Sequence, residues 1–224
     1  MNYAPAVGIK FNQDGTVRQF PGNTFICHVD QSSELIILLE WAQNELKQMQ
    51  CGAKFSFLPI SSMHMTVFEG ICDQVRSPEK WTTKLPLDTP LAHATDLFAT
   101  EVSQIGAHSG FEMEFDYVYN CPTGGTSIRL KPATESSRLA LVNCRERLRT
   151  STGINMPEFD SYHFHITLSY RILELDEGEK QELQQTSERI EERFKQAFGR
   201  LRHGAVEFCR FDNMFKFETL LILS

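Results

Sequence analysis

The sequence predicts an α/β fold of the α+β kind, with sheets that are largely antiparallel. Three features predict it. Segments with strand alternation and segments with helical periodicity interleave along the whole chain. Two stretches alternate on both sides of a short turn, as hairpins do and a purely parallel sheet cannot. Each half of the chain also repeats one order of strand, helix and histidine-bearing strand, a likeness of pattern without sequence identity.

The elements follow in order. Pro21-Gly22-Asn23 supplies a turn, and residues 24–29 follow as a short apolar strand. Ser32 or Ser33 caps a helix in which Leu35, Leu38, Leu39, Ala42 and Leu46 recur at helical spacing, ending near Cys51-Gly52. The segment "MHMTVFEGI" is the next strand. A second helix opens at Asp88 or Thr89, has Pro90 in its first turn and closes at Gly106. "FEMEFDYVYN" and "TSIRLKP" alternate around Pro122–Gly125 and form a hairpin. A third helix runs from about Thr134 to Thr150, ending before Gly153, and "YHFHITLSY" follows as a strand. The charged stretch 176–201 is the longest helix, with Leu183, Ile190, Phe194 and Phe198 as its apolar stripe and Gly178 a weak point. Residues 205–223 close the chain as two strands, another hairpin.

At 224 residues, 41% hydrophobic and 23% charged, the chain can bury one sizeable core. No stretch approaches the roughly 18 apolar residues of a membrane span. The N-terminus lacks a basic segment followed by an apolar one, so a cytoplasmic protein is expected, with no membrane partner. The net charge of −7 argues against a general grip on long nucleic acid. It leaves room for a small nucleotide, or one end of an RNA, in a local pocket. The six cysteines are scattered without a C-x-x-C pair and read as reduced, mostly buried thiols.

The strongest constellation is His64-Met65-Thr66-Val67 with His165-Ile166-Thr167-Leu168. Both read histidine, apolar, threonine, apolar. In a strand, residues two apart share a face, so each segment presents an imidazole beside a hydroxyl and turns its apolar pair into a core. A polar face on a half-buried strand would explain either copy alone. It explains two copies, in corresponding parts of the two halves, far less well. His93-Ala94-Thr95 also spells His-x-Thr, but Leu91, Ala94, Phe98, Val102 and Ile105 mark that segment as helical, which points His93 and Thr95 apart.

Two such pairs suit phosphodiester chemistry. One neutral imidazole takes a proton from the attacking hydroxyl, and a protonated one gives a proton to the leaving oxygen. Threonine hydroxyls donate to the non-bridging oxygens as charge redistributes. His163 precedes His165 by two residues and is expected on the same face, as a substrate contact, a neighbour tuning His165, or a third catalytic group. A plain solvent-facing residue is the bland alternative. An H-x-H metal pair of His163 and His165, completed by Asp160, is a further alternative. Arg129 in "TSIRLKP" shares a face with Ser127 and Lys131, where a cation beside the phosphate or an ordinary solvated face both fit. Phe68 continues the His64/Thr66 face and is a candidate to stack on a base, whereas Tyr170 falls by parity on the core face. Packing explains either ring too. His28 reads as structural.

At these residues the chain resembles the two-histidine (2H) phosphoesterase superfamily, which includes 2′-5′ RNA ligase-like proteins and cyclic phosphodiesterases. Beyond the two motifs, residues 7–30 ("VGIKFNQDGTVRQFPGNTFICHVD"), "SSMHMTVFEG" and "TSIRLKP" resemble a bacterial subfamily described only as a domain of unknown function. The resemblance implies a single bilobal domain over 1–224, with two antiparallel-rich sheets facing each other across a V-shaped cleft and helices outside. It implies metal-independent, cofactor-free chemistry on 2′,3′-cyclic phosphates, 2′-5′ linkages or related nucleotide phosphodiesters such as ADP-ribose cyclic phosphate. His64 and His165 would be the acid/base pair, Thr66 and Thr167 the phosphate donors, and the working form a monomer. The rivals are a nucleotide or RNA-end binding module without turnover, an RNA 2′-5′ end-joining protein, and a metal-dependent hydrolase that a chelator would silence. Residues 71–87 and 151–161 fit either lids over the cleft or plain connections.

Overall fold

In the computed structural model, which describes residues 2–106 and 110–223, an irregular N-terminal arm leads into strand β1, Gly22–His28. Helix α1 (Glu34–Lys47) begins after Ser33, and β2 (Phe55–Phe57) leads to β3 (His64–Cys72). Helix α2 (Leu91–Val102) is followed by the hairpin of β4 (Phe111–Asn120) and β5 (Thr126–Pro132). Helix α3 (Glu135–Thr152) is capped by the Thr134 side chain and ends at Gly153, whose φ of 69° is the left-handed turn that stops a helix. Then come β6 (His165–Thr167), β7 (Ser169–Arg171), α4 (Glu177–Ala197), β8 (Arg200–His203), β9 (Val206–Asn213) and β10 (Lys216–Leu223). No helix among the described residues is long and apolar enough to cross a membrane.

Eight strands form one curled sheet in the order β10-β9-β1-β3-β6-β5-β4-β8, and every neighbouring pair is antiparallel. The order divides into two four-stranded halves with β3 and β6 innermost. These halves are the two lobes expected from the resemblance. They meet along a seam at Met65↔Ile166 instead of standing as separate sheets. One face of the sheet carries the core. Helix α3 packs on β3, β4 and β5, α4 on β4 and α1, and α2 on α3. The other face is left for chemistry.

Three differences from the expected elements have local causes. Residues 162–170 are not one strand. β6 pairs with β3 and β5, whereas β7 leaves the main sheet to pair with β2. Gly125 permits this break, because a Cβ there would lie 1.6 Å from the Ser169 carbonyl oxygen. The charged helix stops at Ala197 and not at 201, with Gly199 at φ 60° turning the chain, and residues 200–203 become the edge strand β8 against β4. A four-residue strand with arginines at two of its positions carries no apolar alternation to announce it.

Candidate active site

Antiparallel pairing at Met65↔Ile166 sets Thr66 opposite His165 and His64 opposite Thr167. Each motif histidine therefore faces the other motif's threonine. The two imidazoles lie on a diagonal whose residues are typically about 7–8 Å apart, Cβ to Cβ somewhat less, a span that can hold one phosphate group between the rings. The apolar partners fix this arrangement. Met65, Val67, Ile166 and Leu168 are all fully buried, and a one-residue slip would turn every one of them to solvent.

The two rings are oriented by the same device. His64 Nδ1 lies 2.7 Å from the carbonyl oxygen of Ser62, and His165 Nδ1 lies 2.8 Å from that of His163. A carbonyl only accepts, so both rings carry their proton on Nδ1 and keep Nε2 free for the cleft. The Ser62 carbonyl is available because a single 3₁₀ turn, Ile60–Ser62, ends there. The His163 carbonyl also accepts from Arg129 Nη1 at 3.0 Å. The 3.4 Å approach of Arg129 Nη1 to His165 Nδ1 is thus two donors converging on one oxygen.

Burial at the floor of the cleft lowers the His64 pKa to about 4, helped by the nearby His28 and His165 and opposed by the Ser62 carbonyl and Glu207. Burial also lowers the pKa of His165, with the adjacent Arg129 guanidinium adding to the effect and the His163 carbonyl opposing it. Both rings are consequently neutral at pH 7 before any phosphate binds.

The cleft has a volume of about 950 Å³ and is lined by His64, Thr66, Arg129, His163, His165 and Thr167 among others. Arg129 pairs directly with His165 across β5 and β6, and its guanidinium lies 4.3 Å over the Tyr119 ring. The His163 side chain is exposed at the rim. Its part in orienting the site is played by its backbone carbonyl, because β6 begins only at His165.

Phe68 requires a correction. It is 1% exposed and packs on Phe25 and Phe159 at 5.9 and 6.1 Å, not along the main cleft. The cause is a β-bulge. Phe25 pairs with Phe68 and Ile26 with Thr66, so Val67 is an extra residue and the side-chain alternation inverts after it. Glu69 takes the cleft position instead. Tyr170 is corrected in the opposite sense, since the break between β6 and β7 turns it into the cleft. His28 stands directly opposite His64 with ring centroids 6.3 Å apart, and its Nδ1 lies 3.0 Å from both carboxylate oxygens of Glu207.

Asp160, His163 and His165 do not converge into a ligand set. Among the described residues the one group of three potential ligand atoms is His28, Glu207 and Cys209, within 4.8 Å of one another. The His28–Glu207 hydrogen bonds already occupy it, and burial holds the Cys209 thiol up at about 12.

A family model described as "2H-phosphodiest: Domain of unknown function (DUF1868)" matches residues 10–122, half of the chain. The chain belongs to this 2H-phosphodiesterase family. A search of curated proteins finds no match. Among solved structures, a conserved protein of unknown function, ATU0111 from Agrobacterium tumefaciens, is similar at 27% identity and TM-score 0.90 over 100% of this chain and 95% of that one. TT0787 of Thermus thermophilus aligns at 14% identity and TM-score 0.53 over 91% and 97%. Escherichia coli LigT aligns at 13% and 0.50 over 92% and 97%. The last two share the fold. The family match contains His64 and Thr66, and the second motif lies beyond it.

Several cleft groups of this 2H-phosphodiesterase chain carry no signal in the sequence. The N-terminal arm lays Lys10 into the cleft with its Nζ 5.2 Å from the centroids of both Phe20 and Tyr170. Lys80 and Val75 enter from one of the two segments considered as lids, Met156 and Glu158 from the other. The two segments are tied together, Thr83 N donating to Gly153 O at 2.9 Å and Thr82 Oγ1 to Thr152 O at 2.5 Å. Residues so distant in sequence meet only in the fold.

Proposed function

We propose that the protein is a phosphodiesterase that hydrolyses a 2′,3′-cyclic phosphate, a 2′-5′ linkage or a related nucleotide phosphodiester by metal-independent acid/base catalysis. The observation that carries this reading is the pair of diagonal imidazoles, each with Nε2 free and each beside the other motif's threonine.

In this reading the phosphate sits between the rings and receives Thr66, Thr167 and Arg129 as donors. Its negative charge raises the pKa of both imidazoles, and one proton is taken up. One ring takes that proton and the other stays neutral. The Nε2 of the neutral ring then accepts a proton from water as the water oxygen bonds to phosphorus. The bond from phosphorus to the leaving ribose oxygen breaks, and that oxygen takes the Nε2 proton of the other, protonated ring. Proton exchange with solvent restores the starting state. A small nucleotide or an RNA end fits the reading better than a long RNA, because the chain's net charge is −7 and the cleft also holds Glu69 and Glu158.

The test is hydrolysis of a panel of 2′,3′-cyclic nucleotides, 2′-5′ dinucleotides and ADP-ribose cyclic phosphate in excess chelator. Turnover of one class is expected. Binding of the same compounds without turnover would replace the enzyme by a nucleotide-binding module.

A further inference from the structure

Tyr162 stands three residues before the second motif histidine, and its ring lines the cleft 6.1 Å from that of His165. Thr66, the threonine that faces His165 across the seam, lines the same cleft. Burial, the largest influence, pushes the phenol well above its ordinary range, so it remains protonated and able to donate.

The ring is held from behind by Arg145 of α3. This side chain is 6% exposed. Its Nη1 donates to the Val67 carbonyl and its Nη2 to the Phe159 carbonyl, both at 2.6 Å. Its guanidinium also stacks on the rings of Phe159, Tyr162 and Phe164 at 4.6, 4.8 and 5.6 Å. Val67 is the extra residue of the bulge in the first motif strand. One buried cation thus fastens that strand to the segment that carries Tyr162 into the second motif. A guanidinium out of water is costly unless its donors are satisfied. Here both of those bonds serve to place a segment that lies outside the sheet.

We propose that Tyr162 is a further catalytic residue whose phenol O–H donates to the same non-bridging phosphate oxygen as Thr66, with Arg145 as its positioning residue. This inference rests on the phosphodiesterase reading above. It adds a third hydroxyl to the two of the motifs and places it on the His165 side.

The decisive variant is Tyr162→Phe, which keeps the ring and its stacking and removes only the donor. With the best substrate of the panel, kcat is expected to fall on the order of 100-fold, as for other lost donors to a developing charge. KM should stay within about threefold, because the bond matters chiefly in the transition state. Arg145→Lys keeps a charge but cannot reach both carbonyls. If it acts through Tyr162, its loss does not multiply with that of Tyr162→Phe in the double variant. A Tyr162→Phe enzyme with kcat within about twofold of wild type overturns the proposal, and fully multiplicative losses in the double variant overturn the role of Arg145. Should Arg145→Lys fail to fold by circular dichroism, Tyr162→Phe decides alone. A wild type inactive on the whole panel fails the phosphodiesterase reading and takes the role of Tyr162 with it. An active wild type matched by Tyr162→Phe sinks only the inference.

Discussion

His64 and His165 occupy equivalent places on either side of the β3–β6 seam. Each donates its Nδ1 proton to the carbonyl two residues before it, at 2.7 and 2.8 Å, and each faces the other motif's threonine. Two rings with identical tautomers and free Nε2 atoms can exchange the roles of acid and base. What separates them is their surroundings. His64 lies beside His28 and the Glu207 carboxylate, while Arg129 shares the carbonyl that orients His165.

That difference should appear in the pH dependence. Both pKa values lie below the ordinary 6.5, that of His64 at about 4. The free enzyme with one proton shared between the rings is therefore most populated on the acid side of neutrality. We expect a bell-shaped profile of kcat/KM with its maximum below pH 6.5, and a kcat profile displaced to higher pH because bound phosphate raises both values. Steady-state kinetics from pH 4 to 9 checks this. A kcat/KM maximum above pH 8 would contradict the neutral, depressed pair.

The threonines should act through their hydroxyls and not through packing. Thr66→Val and Thr167→Val preserve shape, and each is expected to lower kcat on the order of 10- to 100-fold. Thr→Ser at either position should restore most of the loss. Valine variants as active as wild type would make these residues merely part of a strand face.

A histidine outside the cleft predicts the acid sensitivity of the fold. His203 is 3% exposed, stacks near Phe111, and its Nε2 has no partner among the described residues. Burial lowers its pKa to about 4 from 6.5. The unfolded chain takes up this proton first as pH falls, so stability is complete above about 6.5 and is lost between there and about 4. His203→Leu should fold normally and lose less stability than wild type between pH 7 and 5 in urea titrations. An equal loss in both proteins would remove His203 from the account and leave the other depressed histidines, His64 and His165.

The face that carries both His-x-Thr pairs was legible in the sequence because their alternation is a period-two signal, and the four apolar partners obey it strictly. Legibility ended where the backbone departs from that period. The bulge at Val67 sends Phe68 into the core and Glu69 into the cleft, and the break after Leu168 does the reverse for Tyr170. Tyr162 and His163 precede β6, so strand parity does not apply to them. The carbonyls that orient both rings belong to backbone and leave no mark in side-chain pattern. Lys10, Lys80 and Arg145 reach the site by tertiary contact alone, whereas Arg129 was accessible to the same alternation that found His165.

The central claim is that two imidazoles share one proton-transfer task without a metal. The most direct test measures turnover of the best substrate, in excess chelator, by wild type, His64→Ala, His165→Ala and the double variant. The account predicts wild-type turnover that survives the chelator and single losses on the order of 1000-fold or more. The double variant should be hardly worse than either, because residues acting as a unit are not additive. Turnover abolished by chelator, or a single variant that keeps near-wild-type kcat, would contradict it.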